Sequence, residues 1–292
     1  MHGYRLTRRG KLFVTFLVML VFLAGTLGLR NIAIASDKSE YTFNHSSHFK
    51  EAASEYYELD LRMTAAKYND EMIKLKQEAL KKDEFLSVKV EDIKSYDDAK
   101  LAFLTFDDGP SKTVTSEVLD VLEHYEIKAT FFVLGNMCEK NGNVLKEIND
   151  RGHKIGIHSY SHKLNELLKS EESFVNEIEL TENILKKYLG EEFKTRLFRF
   201  PGGSFEKRKT QYMDVLNKHD YASVDWNALT GDTEYLNPTP EMLLERLKAT
   251  TLNKKNIVVL MHDSETKKVS AQALPDVIEF LKSEGYEFAI LE

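Results

Sequence analysis

The chain has 292 residues, 42% of them apolar, which suits a globular body with a sizeable core and excludes a disordered polypeptide. Its formal net charge of -7 disfavours nucleic acid as a partner. The single cysteine, Cys138, excludes an intramolecular disulfide, and we interpret it as a small core residue.

The first 35 residues are predicted to direct the chain to the membrane and to lie outside the fold. A basic head that ends at Lys11 precedes an uncharged apolar run over residues 12–29. This run is long enough to span a bilayer, and the positive charge before it predicts a cytoplasmic N-terminus. The alternative is a secreted protein cleaved near Ala35, because Ala33-Ile34-Ala35 resembles a signal-peptidase site. We favour the uncleaved single-pass anchor in the cell membrane, and both readings place the body outside the cytoplasm.

Residues 36–98 are predicted to form a mostly helical stalk or linker. The segment contains neither Gly nor Pro, which is not the composition of a flexible linker. Tyr68, Met72, Leu75 and Ala79 fall on one face of a helix. We find no residues there that suggest chemistry.

Residues 99–292 are predicted to form one folded domain, because strand patterns alternate with helical patterns throughout. The predicted strands are Leu101–Phe106, Ala129–Leu134, Lys154–His158, Leu197–Phe200, Ala222–Asp225, Ile257–Met261 and Phe288–Leu291. Thr239-Pro240 predicts an N-cap followed by Pro in the first turn of a helix. This order predicts an α/β fold with a parallel sheet, and periodicity alone leaves it either open or closed as a small barrel. The region has no Gly-rich phosphate loop, so a nucleotide enzyme is disfavoured.

Two adjacent carboxylates follow the first of these strands. Asp107 and Asp108 come directly after an apolar, β-prone run and begin the turn sequence DDGP. In α/β folds, chemistry collects at the carboxyl ends of the strands. The stretch taken alone is also an ordinary turn, so its interpretation depends on the other strand ends.

A pair of histidines follows the third strand. His158 and His162 are four residues apart in HSYSH, a spacing that lets two imidazoles bind one metal ion. With Asp108 they would form a site of two histidines and one carboxylate. Asp107 would then remain free to accept a proton from water activated by the metal. These ligand types leave zinc and nonhaem iron open.

Three later strand ends also carry polar residues. Arg199 is able to pair with a carboxylate, and the turn Pro201-Gly202-Gly203 after it offers backbone N–H groups to a developing oxyanion. Asp225 precedes Trp226, which is either a core residue or a flat wall for a sugar ring. His262, with Asp225 nearby, is a candidate general acid.

Taken in order, TFDDGP, HSYSH, RFPGGS, DW and LMHD resemble the motifs of the carbohydrate esterase family 4 polysaccharide deacetylases. The resemblance covers about residues 100–292 and implies that residues 99–292 are the catalytic domain. It implies a distorted (β/α) barrel of about seven parallel strands. It implies a metal site of Asp108, His158 and His162, usually occupied by zinc, with cobalt or another divalent ion as alternatives. It also implies that Asp107 is the catalytic base and that Arg199 holds it in place.

The resemblance implies roles for the later motifs as well. Asp225 would tune His262 as the general acid, and Trp226 and Leu260 would line the substrate and acetyl pockets. The oxyanion would lie between the metal and a backbone N–H after Pro201. Many members have Tyr where this chain has Gly202, so a side chain that lines the groove is missing here.

These features predict a metal-dependent hydrolase that removes N-acetyl groups from a polysaccharide and releases acetate. The outward address favours cell-wall peptidoglycan as the substrate. An O-deacetylase acting on xylan is an alternative of the same class. A non-catalytic glycan-binding module and a nonhaem iron oxygenase are alternatives from other classes, but neither explains both Asp107 and His262. The expected partners are the polysaccharide and the membrane, without nucleic acid or nucleotide.

Overall fold

The computed structural model describes residues 85–97 and 99–292. The predicted anchor, residues 1–35, and most of the predicted stalk, residues 36–98, lie outside these ranges. Within them, no helix combines the length and the apolar character that crossing a bilayer requires.

Strands and helices alternate along most of the described chain. The strands are β1 (Ser87–Val88), β2 (Leu101–Asp107), β3 (Thr130–Val133), β4 (Lys154–Ile157), β5 (Leu197–Phe198), β6 (Ala222–Ser223), β7 (Ala228–Leu229), β8 (Ile257–His262), β9 (Glu287–Phe288) and β10 (Ile290–Leu291). The helices are α1 (Val114–His124), α2 (Gly135–Lys140), α3 (Gly142–Asp150), α4 (Leu164–Leu167), α5 (Glu171–Leu189), α6 (Thr210–Lys218), α7 (Pro240–Thr251) and α8 (Lys268–Ser283).

Seven parallel strands form a sheet that curls into a half-barrel in the order β6-β5-β4-β3-β2-β8-β7, and β9 adds to the start of β2. The central strand β2 pairs with β3 on one side and with β8 on the other, and Asp107 lies opposite His262. The curled sheet therefore agrees with the barrel that the motifs predicted. Its edges are β6 and β7, so the barrel is open between them.

Side chains on β2 alternate between two apolar clusters, although the whole strand is buried. Ala102, Leu104 and Phe106 join the cluster formed with the helices, whereas Leu101 and Phe103 join a second cluster inside the curl of the sheet. The period of two along a strand places Thr105 and Asp107 on the inner side as well. The inner side of β2 is thus apolar at its start and ends at Asp107, the predicted catalytic base.

Residues 85–97 cover the end of the inner cluster that lies away from Asp107. β1 pairs with β10, and Val88 and Ile93 pack among the inner strand residues. This part of the predicted helical segment is instead a short strand followed by the 3-10 turn Val90–Asp92. The physical reason is burial, because these apolar side chains cover the end of the inner cluster. The compact body therefore begins before residue 99.

The order of the predicted strands agrees with the structure, and the differences lie at short elements. The predicted final strand is two strands, β9 and β10, separated by Ala289. β7 was not predicted, because a strand of two residues is too short to show a periodic pattern. The predicted N-cap is confirmed, since Thr239 accepts a hydrogen bond from the Met242 N–H. Cys138 is a fully buried core residue, as predicted.

Candidate active site

Asp108, His158 and His162 meet at the carboxyl ends of β2 and β4. Their ligand atoms all lie within 4.8 Å of one another. Asp108 Oδ1 lies 3.6 Å from His158 Nε2 and 3.3 Å from His162 Nε2. Among the described residues this buried oxygen has no hydrogen-bond partner. Because an unpaired buried acceptor is costly, the arrangement suits a cation between the three side chains.

The surroundings of His158 select the protonation state that binds a metal. Its Nδ1 lies 2.8 Å from the carbonyl oxygen of Arg199, which can only accept, so Nδ1 carries the hydrogen. Nε2 is then left with its lone pair towards Asp108. Burial lowers the pKa of His158 to about 3, so the ring is neutral at physiological pH. A neutral imidazole with a fixed tautomer is the form that ligates metal ions.

The loop between the two histidines is held by Glu177 on α5. Its carboxylate accepts hydrogen bonds from the backbone N–H groups of Tyr160 and Ser161, each at 2.9 Å. It also accepts one from the Ser161 hydroxyl at 2.8 Å. His162 itself has a left-handed backbone, with φ of 59°. Such a conformation is unfavourable for a residue with a side chain and needs outside support, which Glu177 supplies to the loop.

Asp107 forms a buried ion pair with Arg199 at the top of the barrel interior. Arg199 Nη1 donates to Asp107 Oδ1 and to Thr105 Oγ1, both at 2.8 Å. The guanidinium also lies over the ring of Phe132, 4.1 Å from its centre. Burial raises the pKa of Asp107, although the charge of Arg199 opposes this rise. Asp107 Oδ2 lies 3.7 Å from His158 Nε2, so the second oxygen faces the ligand cluster.

His262, at the end of β8, is paired with Asp232. His262 Nδ1 lies 2.8 Å from Asp232 Oδ1, and the His262 backbone N–H donates to Asp232 Oδ2 at the same distance. Ser270 also donates to this carboxylate. Burial by itself lowers the pKa of His262, but the hydrogen bond and charge of Asp232, together with Asp107 and Asp108, raise it to about 9. The imidazole is therefore protonated at neutral pH.

The carboxylate beside His262 is not the predicted one. Asp225 accepts hydrogen bonds from the backbone N–H of Ser204, at 2.9 Å, and from its hydroxyl. The sheet order explains the difference, because Asp225 follows β6 at the far edge, whereas Asp232 follows β7, which pairs directly with β8. The assignment of Asp225 as the partner of His262 is thus corrected to Asp232.

The turn after β5 carries the predicted oxyanion donor. Within it, the Gly203 N–H donates to Phe200 O, and the Ser204 N–H is bound by Asp225. The Gly202 N–H has no acceptor among the described residues, and Gly202 is exposed. This N–H is therefore available to a substrate.

The two predicted lining residues lie on different strands. Trp226 is half-buried after β6 and packs edge-to-face against the exposed ring of Phe205, with 5.4 Å between ring centres. Leu260 lies in β8, opposite Thr105 and two residues before His262, with 8% of its surface exposed. Alternation along β8 places Leu260 and His262 on the same face of the sheet.

Sequence reasoning missed Asp232 and Glu177. Asp232 had one local signal, a Gly231-Asp232 turn after a short apolar pair, but two strand residues are too few to show a periodicity. Glu177 lies in a helix rich in glutamate, and its sequence neighbours give no sign that it reaches the HSYSH loop.

Comparisons of the sequence and of the structure with known proteins point to the same family. Residues 94–224 match the polysaccharide deacetylase family. The chain is 31% identical over 192 residues to a peptidoglycan-N-acetylglucosamine deacetylase of Bacillus cereus, covering 65% of this chain and 68% of that protein. A carbohydrate esterase family 4 (CE4) esterase of Streptococcus mutans has a similar structure, with a TM-score of 0.66, 34% identity, and coverage of 71% of this chain and 92% of that one.

The same fold occurs in a CE4 pseudoenzyme from Bacillus anthracis, with a TM-score of 0.57, 26% identity, and coverage of 67% of this chain and 65% of that one. Membership of this family therefore does not by itself show that a protein is catalytically active. Activity has to be judged from the arrangement of the side chains in the site. The motifs, the curled parallel sheet and these relatives together establish that the chain belongs to the polysaccharide deacetylases of carbohydrate esterase family 4, which are hydrolases.

Proposed function

We propose that this protein removes N-acetyl groups from N-acetylhexosamine residues of cell-wall peptidoglycan and releases acetate. The observation that carries the proposal is the convergence of three units at one end of the barrel. These are the ligand cluster around Asp108, the buried pair of Asp107 with Arg199, and the pair of His262 with Asp232. Hydrolysis of an amide needs activated water, a base and an acid, and each unit suits one of these tasks.

The ligand cluster fits a divalent cation, and zinc is the ion we propose. Two imidazole nitrogens and one carboxylate oxygen are a donor set of catalytic zinc sites, which leave room for water and substrate. Cobalt or another divalent ion accepts the same donors. The unpartnered Asp108 Oδ1, between His158 and His162, supports a cation at this place. When bound, such an ion activates water and polarises the acetyl carbonyl.

Asp107 acts as the general base in this proposal. Arg199 holds Oδ1, so Oδ2 is the oxygen that is free to take a proton beside the ligand cluster. Burial raises the pKa of Asp107, which makes it a better proton acceptor than an exposed carboxylate. Arg199 limits this rise and keeps the carboxylate in one orientation.

His262 acts as the general acid that protonates the leaving nitrogen. Asp232 accepts the hydrogen of Nδ1, so the proton for transfer is carried by Nε2. The pKa of about 9 keeps this proton on the ring until a stronger base, the departing amine, is formed. The Gly202 N–H stabilises the oxyanion that develops on the acetyl oxygen.

The choice of peptidoglycan rests on two separate supports. The relative from Bacillus cereus is named a peptidoglycan-N-acetylglucosamine deacetylase. The uncharged run over residues 12–29 favours a single-pass anchor in the cell membrane, with the catalytic domain outside the cytoplasm. Finding the protein in the membrane fraction tests this location, whereas a soluble form that begins at Ser36 would indicate cleavage after Ala35.

The decisive experiment measures acetate release by the full-length protein from purified peptidoglycan, from N-acetylglucosamine oligomers and from acetylated xylan. Each reaction is run with zinc and with a chelator, and the Asp107→Asn variant serves as the inactive control. We expect release that requires the metal and is greater from peptidoglycan. Release only from acetylated xylan would show the O-deacetylase instead. No release by zinc-loaded protein from any of these substrates would favour the glycan-binding module.

A further inference from the structure

Lys209, at the start of α6, is fully buried. Its Nζ donates to the carbonyl oxygen of Pro201 at 2.8 Å and to that of Gly203 at 2.6 Å. The third acceptor is Glu206 Oε1 at 3.0 Å. The three donors of the ammonium group therefore each have a partner, as a buried charge requires. Two of the partners belong to the turn that carries the exposed Gly202 N–H.

The contact to Pro201 fixes the direction of the Gly202 N–H. A peptide unit is planar, and in the trans form its C=O and N–H point in opposite directions. The carbonyl of Pro201 and the N–H of Gly202 belong to one such unit. Because Lys209 binds this carbonyl from the buried side, the N–H is turned away from Lys209 towards the exposed side.

The contact to Gly203 acts in the same way on the next but one peptide. The carbonyl of Gly203 shares its plane with the N–H of Ser204, and that N–H donates to Asp225. One ammonium group thus holds two peptide planes of the turn. One plane presents a free N–H, and the other connects the turn to the segment that carries Trp226.

The two glycines of this turn leave its peptide planes free to rotate unless other groups hold them. Gly202 and Gly203 have left-handed φ angles of 71° and 74°. Glycine crosses between left- and right-handed regions more easily than any other residue, so the peptides around it rotate readily. No side chain at position 202 restricts this rotation.

The charge of Lys209 also affects the strength of the N–H donor. A hydrogen bond from a cation to an amide oxygen draws electron density from the amide nitrogen, and hydrogen bonds in such a chain strengthen one another. The N–H on the far side of the same peptide therefore becomes a better donor to a developing oxyanion.

We infer that Lys209 is a positioning residue for deacetylation, which orients and polarises the Gly202 N–H towards the acetyl oxygen. This inference rests on the proposed function. Lys209 does not touch the substrate and acts through the Pro201–Gly202 peptide. The hydrogen bond from Lys209 restricts rotation of this peptide, as a side chain at position 202 would otherwise do.

The test compares Lys209→Met and Lys209→Gln with wild type in the full-length, zinc-loaded protein. Met removes the ammonium group at similar volume, whereas Gln keeps two neutral N–H donors. We expect Lys209→Met to lower kcat for acetate release about 100-fold with KM nearly unchanged, because losing an oxyanion donor has this size of effect. Lys209→Gln is expected to lie between wild type and Met. Lys207→Met is the matched control and should retain the wild-type kcat, because Lys207 is exposed and lies two residues before Lys209 in the 3-10 turn Lys207–Lys209.

Rates are expressed per zinc-loaded, folded molecule, so a purely structural role would lower the yield and leave kcat unchanged. A folded Lys209→Met protein with wild-type kcat would overturn the inference while the deacetylase stands. If Lys209→Met does not fold, a wild-type kcat in Lys209→Gln has the same consequence. Wild-type protein without activity would refute the proposed function instead. In that case the Gly202 amide resonance still tests the positioning, since it should shift in Lys209→Met and not in Lys207→Met.

Discussion

Replacing Asp232 by Asn is expected to move the alkaline limit of deacetylation to lower pH. His262 must be protonated to act as a general acid, so turnover is lost as the pH rises through its pKa. In the folded protein that pKa is about 9, compared with an ordinary value of 6.5. A substitution that lowers the pKa of His262 therefore moves the alkaline limit of turnover to lower pH.

The size of the effect follows from the contacts of His262. A rise to about 9 corresponds to roughly 3 kcal/mol in favour of the protonated ring. Burial opposes this rise and remains in the variant, whereas the hydrogen bond and charge of Asp232 are lost. We therefore expect the pKa to fall by about two units or more. A bound cation beside Asp108 weakens the contribution of the two neighbouring carboxylates in both proteins, so the difference due to Asp232 persists.

The assay is the pH dependence of kcat/KM for acetate release from N-acetylglucosamine oligomers, measured from pH 5 to pH 10. Asp225→Asn is the matched control, because Asp225 lies in the same segment and bonds to Ser204 instead of His262. We expect its alkaline limit to coincide with that of wild type, even if its rate is lower. An unchanged limit in Asp232→Asn, or a shifted one in Asp225→Asn, would refute the assignment of the histidine's partner.

Four further predictions concern the other units of the site. Asp107→Asn should abolish turnover while metal content, measured by elemental analysis, stays at the wild-type level; metal loss would contradict its role as a base. His158→Ala should lose both metal and turnover, and retained metal would remove it from the ligand set. Glu177→Gln should weaken metal affinity about 10-fold or more in a chelator competition, because groups that orient ligands have effects of this size. Glu179→Gln, at an exposed position of the same helix, is its control, and equal affinities would show that the loop does not depend on Glu177. Arg199→Met should destabilise the fold by about 3–5 kcal/mol in denaturant unfolding, since it leaves a buried carboxylate unpaired.

Much of the site could be predicted because its signals are local. Asp107 and Asp108 follow an apolar run that is long enough to identify as a buried strand. The two histidines of HSYSH follow a strand of the same kind. In a parallel sheet the carboxyl ends of the strands lie at one edge, so the sequence predicts that the three ligands meet there. The pairing of β3 with both β2 and β4 produces this arrangement.

The partner of His262 could not be predicted in this way, because it depends on which strand lies beside β8. Asp225 and Asp232 are seven positions apart, and both follow short extended stretches. The two aspartates lie at opposite edges of the sheet, because the chain crosses the open side of the barrel between β6 and β7. That crossing is set by packing of the whole sheet and leaves no periodic pattern in the sequence.

Lys209 shows the same limit for a single charge. It is the last of three consecutive basic residues, of which the first two are exposed and the third is fully buried. Composition and charge pattern treat the three alike, and a run of basic residues ordinarily indicates a solvated surface. The difference arises because the turn after β5 folds back over the start of α6 and presents two carbonyl oxygens to one ammonium group. A buried charge of this kind is explained only by the atoms it contacts, and here those atoms belong to the peptides that flank the free N–H of Gly202.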